Sequence, residues 1–200
     1  VVLPDSAALW TDGRYFLQAA QQLDGSGIEL MRMGEPGVPE IADFLRDHVE
    51  ENGFIGFDSR TVSNAFARTI GEKTREKHIR FAGGEDLVDL VWADRPALSC
   101  EPVWTLDVKY TGLTRREKLS MVRGKMEELG ADVFVIPALD EVAWLLDLRG
   151  GDVLYTPVFP SYLLLGRDQA TLCAQKEAVS AEIEAQLKAD GVSLAPYDDI

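Results

Sequence analysis

The stretch Leu139 to Tyr162, LDEVAWLLDLRGGDVLYTPVFPSY, decides how the chain is read. Val142, Ala143, Leu145 and Leu146 recur at helical spacing, and Asp140 and Glu141 fall in the first turn, where negative charge suits the helix dipole. Arg149, Gly150, Gly151 and Asp152 then break the periodicity. Pro157 and Pro160 bracket Val158 and Phe159 ahead of the strand-like run Tyr162 to Leu165. Helix, loop and strand in that order mark an α/β chain.

Working outward, Gly166, Arg167 and Asp168 separate the run Tyr162–Leu165 from Ala170–Ala174, which predicts a hairpin. A helix with Val179, Ile183 and Leu187 follows and ends near Gly191, before a last strand from Val192 to Ala195. Upstream, Val133–Ile136 reads as a buried strand. Before it, Thr114 and Glu117 form a capping box for a helix facing inward with Leu119, Val122, Met126 and Leu129 and closed by Gly130.

The opening half alternates in the same way. Val1–Leu3 and Ala7–Trp10 flank Pro4, Asp5 and Ser6 as a hairpin, and Asp12 is placed to cap a helix with Phe16, Ala19, Ala20 and Leu23 inward. Gly25 and Gly27 end that helix. Ile28–Met33 reads as a strand, and a helix from Pro39 turns Ile41, Phe44, Leu45 and Val49 inward. Phe54–Phe57 is a short continuous apolar run, as in a strand covered on both faces. Val62, Ala65, Phe66 and Ile70 mark a helix, Ile79–Phe81 a strand, and Leu87, Leu90 and Val91 a short helix ending by Pro96.

Periodicity lapses from Ala97 to Val108, which makes this segment the linker between two domains, residues 1–102 and 103–200. An internal repeat is visible in element order: hairpin, helix and strand open the chain, and the same series closes it from Tyr162 to Tyr197. If the halves are copies of one α/β domain, the first lacks the helix, strand and helix that precede the hairpin in the second. The second lacks the helix, strand, helix and strand that follow in the first. The expectation is therefore two related, incomplete domains.

Two hundred residues with 46% apolar content suffice to bury a core. No apolar run approaches the roughly 20 residues that span a bilayer. A net charge of −14 repels nucleic acid and anionic membrane. Cys100 and Cys173 are too few and too far apart for a disulfide scaffold or a zinc ribbon, and read as reduced thiols of a cytoplasmic protein.

The long stretch from Leu139 resembles the second domain of three-domain Xaa-Pro aminopeptidases, the aminopeptidase P branch of the creatinase and prolidase family. ALWTDGRYFLQAAQQLD (Ala8–Asp24) resembles their first domain, and LMRMGEPGVP (Leu30–Pro39) and LVWADRP (Leu90–Pro96) extend the likeness in matching order. The resemblance implies two creatinase N-terminal-like domains, each a mixed sheet flanked by helices. It implies an intact protein that removes the first residue from peptides with proline second, as a homo-oligomer. It also implies two bridged divalent metal ions, usually manganese, held by a C-terminal catalytic domain of the pita-bread fold. Nothing from Val1 to Ile200 matches that catalytic domain, so no catalytic, cofactor-binding or metal-binding residue is carried onto this chain, which is expected to be inactive alone. Its implied work is to shape substrate access beside its own catalytic domain and to make subunit contacts. The alternative is a free-standing interaction or oligomerisation module.

The residues themselves agree with that assignment of no site. His48 and His78 stand alone, with no second imidazole at metal spacing, and neither HExxH nor paired CxxC is present. Asp140 and Glu141 are adjacent on a helix and point apart, which suits the dipole better than acid–base work. Gly150 and Gly151 fit a turn rather than a phosphate cradle, with Arg149 and Asp152 placed to pin the loop as a pair. Ser6, Ser161 and Cys173 have no base near in sequence. Trp10 and Trp144 read as packing residues, and Trp92 and Trp104 flank the linker. In the group Thr11–Tyr15, Asp12 is expected to cap, Gly13 to permit close approach and Arg14 to pair with a carboxylate; gripping substrate is the second reading.

Overall fold

Short strands alternating with amphipathic helices build two units, Val1–Arg95 and Pro96–Ile200, in the computed structural model, which describes residues 1–84 and 86–199. The chain is α/β, as its alternating periodicity predicts.

In the first unit, β1 (Ala7–Thr11), α1 (Phe16–Leu23) and β2 (Ile28–Arg32) form a strand–helix–strand turn, with β1 and β2 parallel and Ala7 opposite Ile28. After α2 (Ile41–His48), a second such turn runs through β3 (Phe54–Asp58), α3 (Asn64–Lys73) and β4 (Arg80–Gly84), with Phe54 opposite Arg80. Ser63 caps α3 by accepting from the Phe66 amide. The opening hairpin is reduced to one antiparallel bridge, Val2 to Ala7, closed by the Leu3 amide on the Ser6 carbonyl at 2.8 Å. Ala8, Met31 and Phe44 make one small buried cluster and Ala42, Leu45 and Ile70 another. Trp10 packs as expected: its ring meets Phe44 edge-on at 4.9 Å and its Nε1 donates to the Pro39 carbonyl at 2.8 Å.

Three expectations for this unit change. Asp12 does not cap α1, whose N-cap is Tyr15 with no side-chain bond. Its carboxylate instead accepts from the Arg14 amide at 3.0 Å and from the Arg14 guanidinium at 2.9 and 2.8 Å, because a short acidic side chain closes a turn on its own backbone two residues on. Strand β3 is not covered on both faces: Ile55 packs against the cluster of Ala42, Leu45 and Ile70 on one side, while Phe54 on the other is 58% exposed. Leu87, Leu90 and Val91 lie in a turn rather than a helix and are exposed. Asp86 starts that turn by accepting from the Val88 amide at 2.9 Å.

The second unit comprises β5 (Trp104–Thr105), α4 (Val108–Thr111), α5 (Arg115–Glu128), β6 (Val133–Ile136), α6 (Leu139–Leu146), β7 (Leu148–Arg149), β8 (Ser161–Gly166), β9 (Ala170–Ala174), α7 (Ala181–Ala189) and β10 (Val192–Pro196). The sheet order is β10-β9-β8-β6, antiparallel except for the parallel pair β9 and β10. Thr114 and Glu117 form the capping box that opens α5, and Gly130 closes that helix at φ +66°. The predicted hairpin of β8 and β9 is present. Within the aperiodic segment 97–108, Val103 is buried and β5 pairs with β7.

One continuous core holds this unit together. Leu119 and Met126 of α5, Val142, Leu145 and Leu146 of α6, and Ile183 and Leu187 of α7 pack against Ile136, Leu163, Leu165, Ala170 and Leu172 of the sheet. Burying such side chains contributes roughly 1.5–3 kcal/mol each before entropy is set against it. Leu129 is not inward as its spacing suggested: it is the C-cap residue and is exposed. Strand β6 likewise departs from the buried expectation, because it is a sheet edge, and Val133, Phe134 and Val135 are 59%, 43% and 49% exposed.

Candidate functional site

The carboxyl end of α6 is where charged side chains converge in the second unit. A helix leaves its last carbonyls without partners, and cations are favoured there. Three basic residues meet that need. Arg149 donates from Nη1 to the Ala143 carbonyl at 2.6 Å, Lys118 Nζ to the Trp144 carbonyl at 2.7 Å, and Arg115 Nε to the Leu146 carbonyl at 2.7 Å. Asp147 then turns the chain at φ +55° and takes the Lys118 ammonium in an ion pair, with Lys118 wholly buried. Arg115 also reaches Asp190 at 2.7 Å, tying the end of α7 to the same place.

This anchorage fixes the glycine loop that follows. A Cβ on Gly150 would stand 2.7 Å from Phe159 Cβ and 2.9 Å from the Val158 carbonyl oxygen, so only glycine lets the two passes of chain approach. Arg149 and Asp152 do not pair. Arg149 is drawn to the helix end, and Asp152 accepts from the Glu101 amide at 2.9 Å, which holds the segment before β5. The loop is a packed turn, with none of the pattern of a phosphate cradle.

The Lys118–Asp147 pair is absent from the residues singled out by sequence. Its signal is faint but present: Arg115, Lys118, Leu119, Val122 and Met126 share the apolar stripe of α5, so Lys118 occupies a core position. A lysine there needs a carboxylate, and only the fold shows that Asp147 supplies it.

In the first unit, a crevice of about 390 Å³ opens beyond the carboxyl ends of β3 and β4, lined by Asp58, Ser59, Arg60, Gly84, Asp86, Asp89 and Leu90. Such ends are the usual ligand positions of open α/β sheets. Here the charges satisfy one another: Asp86 pairs with Arg95, and Arg60 lies 3.3 Å from Asp58 and 3.6 Å from Asp86. The Arg95 guanidinium holds the Asp86 carboxyl below the usual carboxylate range. Among the described residues that line the crevice, Ser59 has no histidine beside it.

The remaining candidates lie apart. His48 stacks on Phe44 at 3.9 Å with Nδ1 2.9 Å from the Phe44 carbonyl, and His78 is exposed at φ +53°. Arg14 pairs with Asp12, whose carboxyl is pulled down to about 2 by that guanidinium, and a Cβ on Gly13 would meet only the Phe16 ring, at an ordinary 3.7 Å. Ser161 is buried and donates to the Phe159 carbonyl at 3.1 Å. Cys173 is buried in β9, where desolvation raises its thiol, while Cys100 is exposed. Trp144 is 43% exposed, with the Lys118 ammonium 5.0 Å from its ring centre, so it is only partly a packing residue. Among the described residues no three of His, Cys, Asp and Glu are grouped to hold a metal ion. No helix of the described residues is long and apolar enough to cross a membrane.

Aminopeptidase P2 of Arabidopsis thaliana is 41% identical over 203 residues, covering all of this chain and 28% of the plant protein. Xaa-Pro aminopeptidase app-1 of Caenorhabditis elegans is 38% identical over 206 residues, again across the whole chain and 33% of the relative. The crystal structure of X-prolyl aminopeptidase from C. elegans, described as a cytosolic enzyme with a di-nuclear active site, superposes with a TM-score of 0.88 at 35% identity, over 98% of this chain and 32% of that one. The chain thus spans about a third of the length of the relatives it matches. The creatinase/prolidase N-terminal domain description matches twice, at residues 1–91 and 94–200, and the chain belongs to that family.

Proposed function

We propose that this chain is the amino-terminal part of a cytosolic metalloaminopeptidase that removes the first residue from peptides with proline in second position. The observation that carries the reading is identity of 38–41% along the entire chain to aminopeptidases of that kind, together with a C. elegans relative whose active site is di-nuclear. Under this reading the two units do no chemistry. They shape the approach of the peptide to a pair of divalent ions, manganese by expectation, held by other residues of the longer polypeptide, and they contribute to contacts between subunits.

The test is hydrolysis of an Xaa-Pro peptide with added manganese by the longer gene product and by the 200-residue chain, each verified by intact mass. Cleavage by the longer polypeptide alone is the expected result. No cleavage by the longer polypeptide, or cleavage by the 200-residue chain, refutes the proposal.

A further inference from the structure

The guanidinium of Arg123, on α5, uses little of its bonding capacity. An arginine carries five N–H donors in a fixed fork. Among the described residues only Nε–H of Arg123 finds an acceptor, the Gly166 carbonyl at 3.0 Å, and Nη2 is buried with no partner. Glu127 stands four residues on, at the spacing that lets acid and base pair along a helix, yet no ion pair joins it to Arg123. A charged donor shut away from water and left unbonded is costly, so its place in a fold calls for an acceptor.

A crevice of about 390 Å³ lies against this side chain, lined by Ser120, Arg123, Gly124, Met126, Glu127 and Arg167. Ser120, Arg123, Gly124 and Glu127 follow one another at steps of three and four, so they share one face of α5. Arg167 comes from the turn between β8 and β9, beside the Gly166 carbonyl that fixes Arg123. Its Nη2 is 2.8 Å from Asp132 Oδ1, but the two side chains are 63% and 80% exposed. A pair so open to water contributes little, and Arg167 can exchange that partner at small cost.

Gly124 adds an independent observation. Glycine inside a helix is less favourable than alanine, and a close approach of other chain is the usual reason to keep it. Here a Cβ would meet nothing within 4 Å. Packing gives no reason for this glycine; its effect is to keep the crevice open between Arg123 and Glu127.

The lining decides what chemistry fits. Two guanidiniums and a serine hydroxyl offer donors to one small space, which suits an oxyanion. Glu127 sets one negative charge in the same lining, Asp132 sets another beside Arg167, and the chain as a whole carries −14. Phosphate, with close to two charges, meets that repulsion twice over. A carboxylate carries one charge, and its two oxygens match the fork of a guanidinium.

We infer that the crevice between α5 and the β8–β9 turn binds the carboxylate of a small organic acid. Arg123 is its anchor, held in advance by Gly166, and the orphaned end of its guanidinium gains an acceptor when the acid enters. Arg167 and Ser120 add donors, and Glu127 excludes more highly charged anions. The site is independent of the peptidase activity proposed above.

The experiment titrates the isotope-labelled 200-residue chain with sodium acetate, with sodium chloride holding ionic strength constant, and follows the arginine Nε–H and backbone amide signals by NMR. A saturable shift of the Arg123 Nε–H signal and of the amides of residues 120–124 is the expected result. Glu127→Gln removes the opposing charge and lowers the half-saturating acetate concentration by about threefold or more. Arg123→Lys keeps the charge without the fork and raises it by about fivefold or more. Gly124→Leu fills the crevice and abolishes the shift while the thermal midpoint holds, because nothing lies within 4 Å of the added Cβ. Shifts that chloride reproduces, or that rise without saturating, overturn the inference. So does a Gly124→Leu chain that keeps its midpoint and binds acetate like the parent, or a half-saturation unmoved by Glu127→Gln. Phosphate that saturates the same signals at lower concentration than acetate overturns the assignment to a carboxylate.

Discussion

Replacing Lys118 by methionine tests whether the carboxyl end of α6 is organised by buried charge. Lys118 is wholly buried, and its ammonium serves both the Asp147 carboxylate and the Trp144 carbonyl. Methionine fills much of the same space but donates nothing. Asp147, only 5% exposed, is left as a buried carboxylate without its cation. Removing one partner of a buried pair costs about 3–5 kcal/mol, mostly as the penalty on the charge that remains. With an m-value of about 2 kcal/mol/M, the urea midpoint of the second unit falls by about 1.5–2.5 M. Trp144 reports the transition by fluorescence, since the ammonium lies 5.0 Å from its ring. The double variant Lys118→Met with Asp147→Asn removes the stranded charge while asparagine tolerates the left-handed backbone at φ +55°, and it recovers about half of the loss or more. A single variant within about 0.5 kcal/mol of the parent, or a double variant no better than the single, refutes the assignment.

Two further outcomes follow from close packing and from proton linkage. Gly150→Ala places a methyl group 2.7 Å from Phe159 Cβ and 2.9 Å from the Val158 carbonyl, and overpacking of that kind lowers stability by about 1–3 kcal/mol in urea unfolding; a neutral result means that the two passes of chain move apart freely. The Tyr197 hydroxyl is pushed up to about 12 by burial and by its bond to the Tyr162 hydroxyl. The unfolded chain therefore sheds this proton first, near the ordinary value of 10, so the contribution is intact below pH 10 and is lost as pH climbs toward 12. Tyr197→Phe flattens the decline of the urea midpoint across that window, and an unchanged slope shows that other groups govern alkaline unfolding.

Features confined to a few neighbouring residues were legible before any fold was known. The Thr114–Glu117 capping box, the turn at Gly166–Asp168 and the helix of Val142–Leu146 all rest on bonds or contacts within four residues of chain. Asp12 marks the limit of that reading. A short acidic residue ahead of a helix can cap it or close a turn on itself, and the choice fell to Arg14, two residues away, because α1 starts only at Phe16. The inward faces of Leu119 and Met126 on α5 were equally visible, since they follow the helical period. The Lys118–Asp147 pair was not, because its partners are 29 residues apart and meet only when α5 packs on α6.

By itself, then, the sequence determined the α/β alternation, the repeat of element order and the kinship with the creatinase N-terminal domain, all of which are written in local periodicity and residue identity. The tertiary structure decided which apolar runs are buried and which charges meet. Val133–Ile136 and Phe54–Phe57 read alike as core strands, yet each is open because burial depends on the neighbour a strand is given, and hydrogen-bonded pairing across a sheet is a relation between distant segments that no single stretch encodes.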